Sequence, residues 1–140
     1  MKKAGLIIVC ALLALQMGAC AGEKKAEVSY KDGVYSGESS KDEFGGKITV
    51  EISVKDGKIT EASMKDLDKN GVEKGEEYGK DIGQEGLYKK AQQAVEGAKQ
   101  YPVLLVESGS IENMDAVSGA TVSFKVFKEA VENALSGAVQ

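Results

Sequence analysis

Arginine, histidine and tryptophan are missing from this chain of 140 residues, which has only two cysteines and one proline. Without histidine there is no Ser–His triad, no imidazole acid–base pair and no imidazole metal ligand. Two cysteines are too few for an iron–sulfur cluster or a Cys-rich zinc site. Both, Cys10 and Cys20, fall near the N-terminus, so a domain downstream has neither thiol nor disulfide. Redox or group-transfer chemistry would therefore need an organic cofactor. Phosphate-loop patterns are absent too: Gly71, Gly75, Gly79, Gly83 and Gly86 are too dispersed for GxxxxGK(S/T) or GxGxxG. The net charge is −4 and is spread along the chain, which excludes the basic footprint of a nucleic-acid partner. Glu73, Glu76, Glu77, Asp81 and Glu85 form an acidic cluster, but they lack the ligand spacing of an EF-hand loop. They read as a solvated loop, and no metal site is expected.

What is present begins with an address. Lys2 and Lys3 precede an apolar run from Ala4 to Leu15, interrupted at Gln16. A membrane-spanning helix needs roughly 20 apolar residues, so this run reads as an export signal. It ends in Met17-Gly18-Ala19-Cys20, which resembles a bacterial lipobox with Met17 in place of the usual leucine. Residues 1–19 are thus expected to be a lipoprotein signal peptide, with Cys20 as the lipid-bearing first residue of the mature chain. Several acyl chains hold durably where one holds reversibly. The polar, Lys/Glu-rich stretch 20–30 reads as a flexible tether. The protein would then lie on the extracytoplasmic face of the cell membrane.

The remaining residues, 31–138, suffice for one domain with one core. Ile48, Val50, Ile52 and Val54 alternate with Thr49, Glu51, Ser53 and Lys55, which predicts a half-buried strand over 47–55. Asp56-Gly57 predicts a tight hairpin turn. Lys58 to Lys65 is the return strand, although Ile59 falls on the opposite face from Ala62 and Met64. Gly33 to Ser39 reads as an edge strand. Leu87, Ala91, Ala94, Val95 and Ala98 recur at helical spacing and predict a helix ending near Gln100. For Val103 to Val106 a short helix opened by Pro102 and a buried strand are both open. Val122, Val126, Phe127, Ala130, Val131, Ala134 and Leu135 form the stripe of a last helix. The fold class is α+β, a small antiparallel sheet packed with helices in a single domain.

Before that last helix stands Asp115-Ala116-Val117-Ser118-Gly119-Ala120-Thr121. Locally this is a turn into a helix, with Asp115 or Ser118 as N-cap. On a helical wheel Thr121 shares the polar face of Lys125, Lys128 and Glu132, so it points away from the core. A helix N-terminus has unpaired N–H groups and partial positive charge, which suit a phosphate. Lys125, one turn on, either approaches such a phosphate or is simply solvated. Phe124 either flanks a ligand there or packs in the core. Tyr30, Tyr35, Tyr78, Tyr88 and Tyr101 could each stack on a flat ring or pack.

The segment resembles the flavinylation motif of the FMN-binding domain family, D-x-x-(S/T)-G-A-T. Relatives include subunits of the Rnf complex and of the sodium-pumping NADH:quinone reductase, and extracellular flavin lipoproteins. Asp32-Gly33-Val34-Tyr35-Ser36-Gly37 resembles the family's opening strand, and the stretch from Gly45 to Ile59 resembles its hairpin. The stretch from Asp68 to Gly86 departs from the pattern. The resemblance implies covalent FMN, joined through a phosphoester to Thr121 by a separate flavin transferase that uses FAD and magnesium. Asp115 and Gly119 would shape the loop, and Ser118 and Ala120 would position the hydroxyl. It implies a flavoprotein in extracellular electron transfer, supplied by a membrane quinone or flavoprotein donor. No catalytic residue of its own is implied. The alternative is a non-redox binding or structural lipoprotein that keeps the fold without flavin.

Overall fold

A hairpin organises the sheet. The computed structural model describes residues 27–140. The expected signal peptide, Cys20 and most of the tether lie outside the described residues. Strand β2 (Lys47–Lys55) pairs antiparallel with β3 (Lys58–Leu67), and β1 (Gly33–Glu38) pairs antiparallel with β2, giving the order β1-β2-β3. The turn residues Asp56 and Gly57 both have positive φ, 53° and 77°. A two-residue turn of this hand matches the twist of the strands it joins.

The misplaced Ile59 has a local explanation. Val54 pairs with Ile59 and Ser53 pairs with Glu61, so Thr60 is an extra residue, a β-bulge. The bulge shifts the phase by one. Ile59, Ala62 and Met64 then all pair with inward residues, Val54, Ile52 and Val50. One face is apolar from Ile59 to Met64 and ends in the buried Asp66 opposite Ile48, and Glu51, Ser53, Glu61 and Ser63 occupy the other.

Three helices follow. Helix α1 is Glu85–Ala98, two residues earlier than the periodicity predicts. Helix α2, Tyr101–Ser108, settles the ambiguous run as a helix. Pro102 sits in its first turn, where a missing N–H breaks no bond. Helix α3, Thr121–Leu135, lies across the apolar face of β1 and β2. Ile48, Ile52, Tyr101, Leu105, Phe127 and Val131 are fully buried between the sheet and the helices. The result is the expected α+β domain.

Three details differ from the sequence reading. Tyr30, assigned there to the tether, is 3% exposed and forms a bridge with Val139. Its ring is apolar enough to join the core despite its polar neighbours. Within the last helix Val122 is exposed, and Ser123 is buried in its place. The stretch after β3 is pinned: the Lys74 ammonium lies between Asp66 (2.8 Å) and Asp42 (3.4 Å), with all three side chains nearly out of solvent. The acidic residues Glu73, Glu76, Glu77, Asp81 and Glu85 are exposed around it. Among the described residues no helix is long and apolar enough to cross a membrane, and no cluster of acidic residues is arranged to hold a metal ion.

Candidate functional site

The motif loop is a turn held from below. Ala120 N–H donates to the Val117 carbonyl at 3.0 Å, which closes a four-residue turn over Ser118 and Gly119. Gly119 has φ 82°, the left-handed value that the third residue of such a turn requires. A Cβ at Gly119 would also lie 2.6 Å from the Gln93 side chain on α1. Gly97, on the same helix, lets Ala120 approach: a Cβ at Gly97 would sit 2.7 Å from that of Ala120. The loop therefore rests on α1 through two bare glycines, and Ala120 is 1% exposed.

Helix α3 starts immediately after. Its N-cap is Ala120, which has no side chain to cap with. Neither Asp115 nor Ser118 serves as N-cap, contrary to the local reading; the turn places both before the cap position. The first backbone bond of the helix runs from Phe124 N–H to the Ala120 carbonyl, 2.9 Å. The N–H groups ahead of it have no side-chain acceptor, so the positive end of the helix is open.

Thr121 is the first residue of α3 and is exposed, on the face its helical position predicts. Its hydroxyl makes no hydrogen bond among the described residues. Asp115, Ser118 and Lys125 are likewise exposed and hold no hydrogen bond or ion pair there. Lys128, on the same face, is engaged with Glu112 (3.3 Å) and Glu132 (3.7 Å). Phe124 packs its ring against Tyr101, 5.3 Å between centroids, at the edge of the core. The structure thus brings together an exposed hydroxyl on Thr121, an uncapped helix end and a lysine without an ion pair one turn away. A hydroxyl in that position suits a phosphate ester: the phosphate would lie against backbone N–H groups, and no buried group would have to be displaced.

Sequence reasoning missed what holds the loop in place. Tyr101, 0% exposed, donates its phenol hydrogen to the Ala120 carbonyl at 2.8 Å and accepts from Val117 N–H at 3.1 Å. Burial pushes this phenol above the ordinary tyrosine value, opposed by the Val117 hydrogen bond. It remains a neutral donor throughout the physiological range. Nothing in the local sequence marks Tyr101, because its partners lie sixteen and nineteen residues away.

A family model, the FMN-binding domain, matches residues 43–136, a range that contains the hairpin, the motif and all of α3. The crystal structure of the CPE2226 protein from Clostridium perfringens is 27% identical, with TM-score 0.52, and the match covers 78% of this chain and 88% of that one. A solution NMR structure of a protein from Clostridium thermocellum is 26% identical, with TM-score 0.44, covering 76% and 90%. No curated protein matches. With two thirds of its length matched and the motif turn built as described, the chain is a flavin-binding protein and belongs to the FMN-binding domain family.

Proposed function

We propose that Thr121 carries FMN through a phosphoester, and that the protein is an electron carrier anchored by lipid on Cys20 at the extracytoplasmic face of the membrane. The observation that supports the ester most directly is the exposed, unbonded Thr121 hydroxyl at the uncapped start of α3. A flavin transferase would use FAD and magnesium. Thr121 Oγ1 forms the new P–O bond, the phosphoanhydride breaks, AMP leaves, and the hydroxyl proton passes to the medium. No electrons change hands in that step. The Val122 and Ser123 N–H groups at the uncapped start of α3 would hold the phosphate, and Lys125 would add positive charge one turn away. Asp115 and Ser118, exposed and unengaged, are free for recognition by the transferase.

When bound, FMN supplies one- or two-electron transfer, which the domain after Cys20 cannot perform with side chains that include neither thiol nor imidazole. A covalent link is useful outside the cell. A reversible site with Kd about 1 μM, worth about −8 kcal/mol, stays mostly empty at nanomolar flavin. The donor would be a membrane quinone or flavoprotein.

The test is intact mass after co-expression with a flavin transferase. The unsubstituted protein should gain one FMN ester, and Thr121→Ala should gain none while melting at the same temperature, since the side chain is exposed and holds no hydrogen bond. Absence of the adduct, or an adduct retained by Thr121→Ala, overturns the reading and leaves a non-redox lipoprotein with this fold.

A further inference from the structure

We propose that Tyr101 is the positioning residue of the Thr121 site: its phenol holds the motif turn in the one conformation that presents the threonine hydroxyl for esterification. The inference rests on the reading of Thr121 as the esterified residue and adds a residue outside the motif.

The geometry is specific. The Tyr101 hydroxyl accepts from Val117 N–H and donates to the Ala120 carbonyl, so it joins the first and last residues of the turn over Ser118 and Gly119. The same Ala120 carbonyl receives Phe124 N–H, so both of its lone pairs are used. One bond aligns the helix and the other ties the helix start to α2. Thr121 follows directly in the chain. The phenol has no freedom to relax, because its ring lies between Phe124 and Phe127, with centroids 5.3 and 5.4 Å away. Without the hydroxyl, only the Ala120–Val117 backbone bond would close a turn whose Ser118 and Gly119 are exposed. Ser118 and Gly119 would then sample other conformations, and the transferase would meet Thr121 in the right orientation for only part of the time. A buried phenol needs partners in any role; what marks this one is that both of its partners belong to the motif turn.

The test separates positioning from stability. Tyr101→Phe keeps the ring and removes both bonds. Val131→Ala, in the core at the far end of α3, serves as a control of equal or larger loss in Tm. Esterification of each protein by the transferase is followed by mass, with amide hydrogen exchange of the unmodified domain in parallel. Tyr101→Phe should be esterified about tenfold to a hundredfold more slowly, with faster exchange at the Val117 and Ala120 amides, the two that are hydrogen-bonded in the turn. Val131→Ala should keep the unsubstituted rate. Esterification of Tyr101→Phe at the unsubstituted rate, or an equal slowing in Val131→Ala, overturns the proposal. Failure of the unsubstituted protein to gain flavin overturns the function reading first and this one with it, and the two failures are told apart by which protein shows them. If Tyr101→Phe does not fold, 3,5-difluorotyrosine in place of Tyr101 decides, because its more acidic hydroxyl stops donating at lower pH. The esterification rate should then fall at lower pH than in the unsubstituted protein; an unchanged pH profile overturns the proposal.

Discussion

Lys74 sits with its ammonium between two carboxylates, and each of the three groups depends on the others. Its side chain is 7% exposed, Asp66 10% and Asp42 3%. Burial pushes the Asp66 carboxyl above its ordinary 3.8, and the Lys74 hydrogen bond and charge only partly oppose that. Burial pulls Lys74 down, but the Asp66 hydrogen bond and charge outweigh it and hold the ammonium above 10.5. The signs follow from linkage. Lysine with a raised folded pKa contributes its full stability below 10.5 and loses it as pH rises through the folded value. A carboxyl with a raised folded pKa makes the folded state hold its proton more tightly, so stability falls as pH rises above 3.8 through the folded value. Lys74→Met would leave the carboxylates buried without their cation, a loss of about 3 kcal/mol in urea unfolding at neutral pH. Asp66 would then be raised further. The deficit against the unsubstituted protein should therefore shrink as pH is lowered from 7 toward 5; a deficit that is constant or grows over that range would count against the buried triad.

What the residues reveal from sequence follows the range of their partners. The turn over Ser118 and Gly119 and the helix start at Ala120 and Thr121 are legible because they are written in adjacent positions. Gly119 needs its φ locally, and Thr121 takes its outward face from the helical period. Tyr101, Gln93, Gly97 and Lys74 were not legible. Each acts on a segment far along the chain, and a buried phenol or lysine carries no local pattern that says what it will meet.

At the level of elements, amphipathic alternation places strands well until a bulge interrupts it. The return strand looked irregular because Thr60 adds one residue and inverts the phase between Ile59 and Ala62. This has a consequence for deletions. Removing Thr60 leaves Ile59 opposite Val54, Glu61 opposite Ser53 and Ala62 opposite Ile52, so every side chain keeps its face. Removing Ser63 instead moves Met64 from opposite Val50 to opposite Glu51, and turns Met64 and Asp66 outward. The Thr60 deletion should remain folded, with a loss of about 1–2 kcal/mol for the altered twist and hairpin. The Ser63 deletion loses the Asp66–Lys74 pair and the Met64 packing, and should be unfolded at 25 °C by far-UV circular dichroism. Equal behaviour of the two deletions would contradict the register. Helix α2 shows the other limit of periodicity: Pro102 to Val106 is apolar on all sides over too short a length to separate helix from strand, and its place against β3 decides.

For the whole molecule the important fact is that residues 29–31 meet the C-terminal segment. Tyr30 bridges Val139, Lys31 N–H donates to the Ala138 carbonyl, and Gln140 N–H donates to the Ser29 carbonyl. The N-terminal entry into the domain is therefore beside the C-terminal end of α3. Thr121 is at the opposite end of that helix, which has 15 residues and is about 22 Å long at about 1.5 Å per residue. If Cys20 bears the lipid and Thr121 the flavin, the end of the domain where residues 29–31 enter and the Thr121 end face apart, and the flavin would be offered to partners on the side away from the bilayer. Its exchange with a lipid-embedded quinone would require the domain to roll over on its tether. Quenching by bilayer lipids reads this directly. Flavinylated protein would be held on vesicles in two ways, through the lipid on Cys20, or with Cys20→Ser and a maleimide lipid on Glu96→Cys, an exposed α1 position next to Gly97, whose neighbour across the helix is Ala120. Doxyl-labelled lipid should quench flavin fluorescence weakly in the first form and strongly in the second. Equal quenching would mean that the domain tumbles freely at the surface, and that the polarity of the fold does not govern which partner the flavin meets.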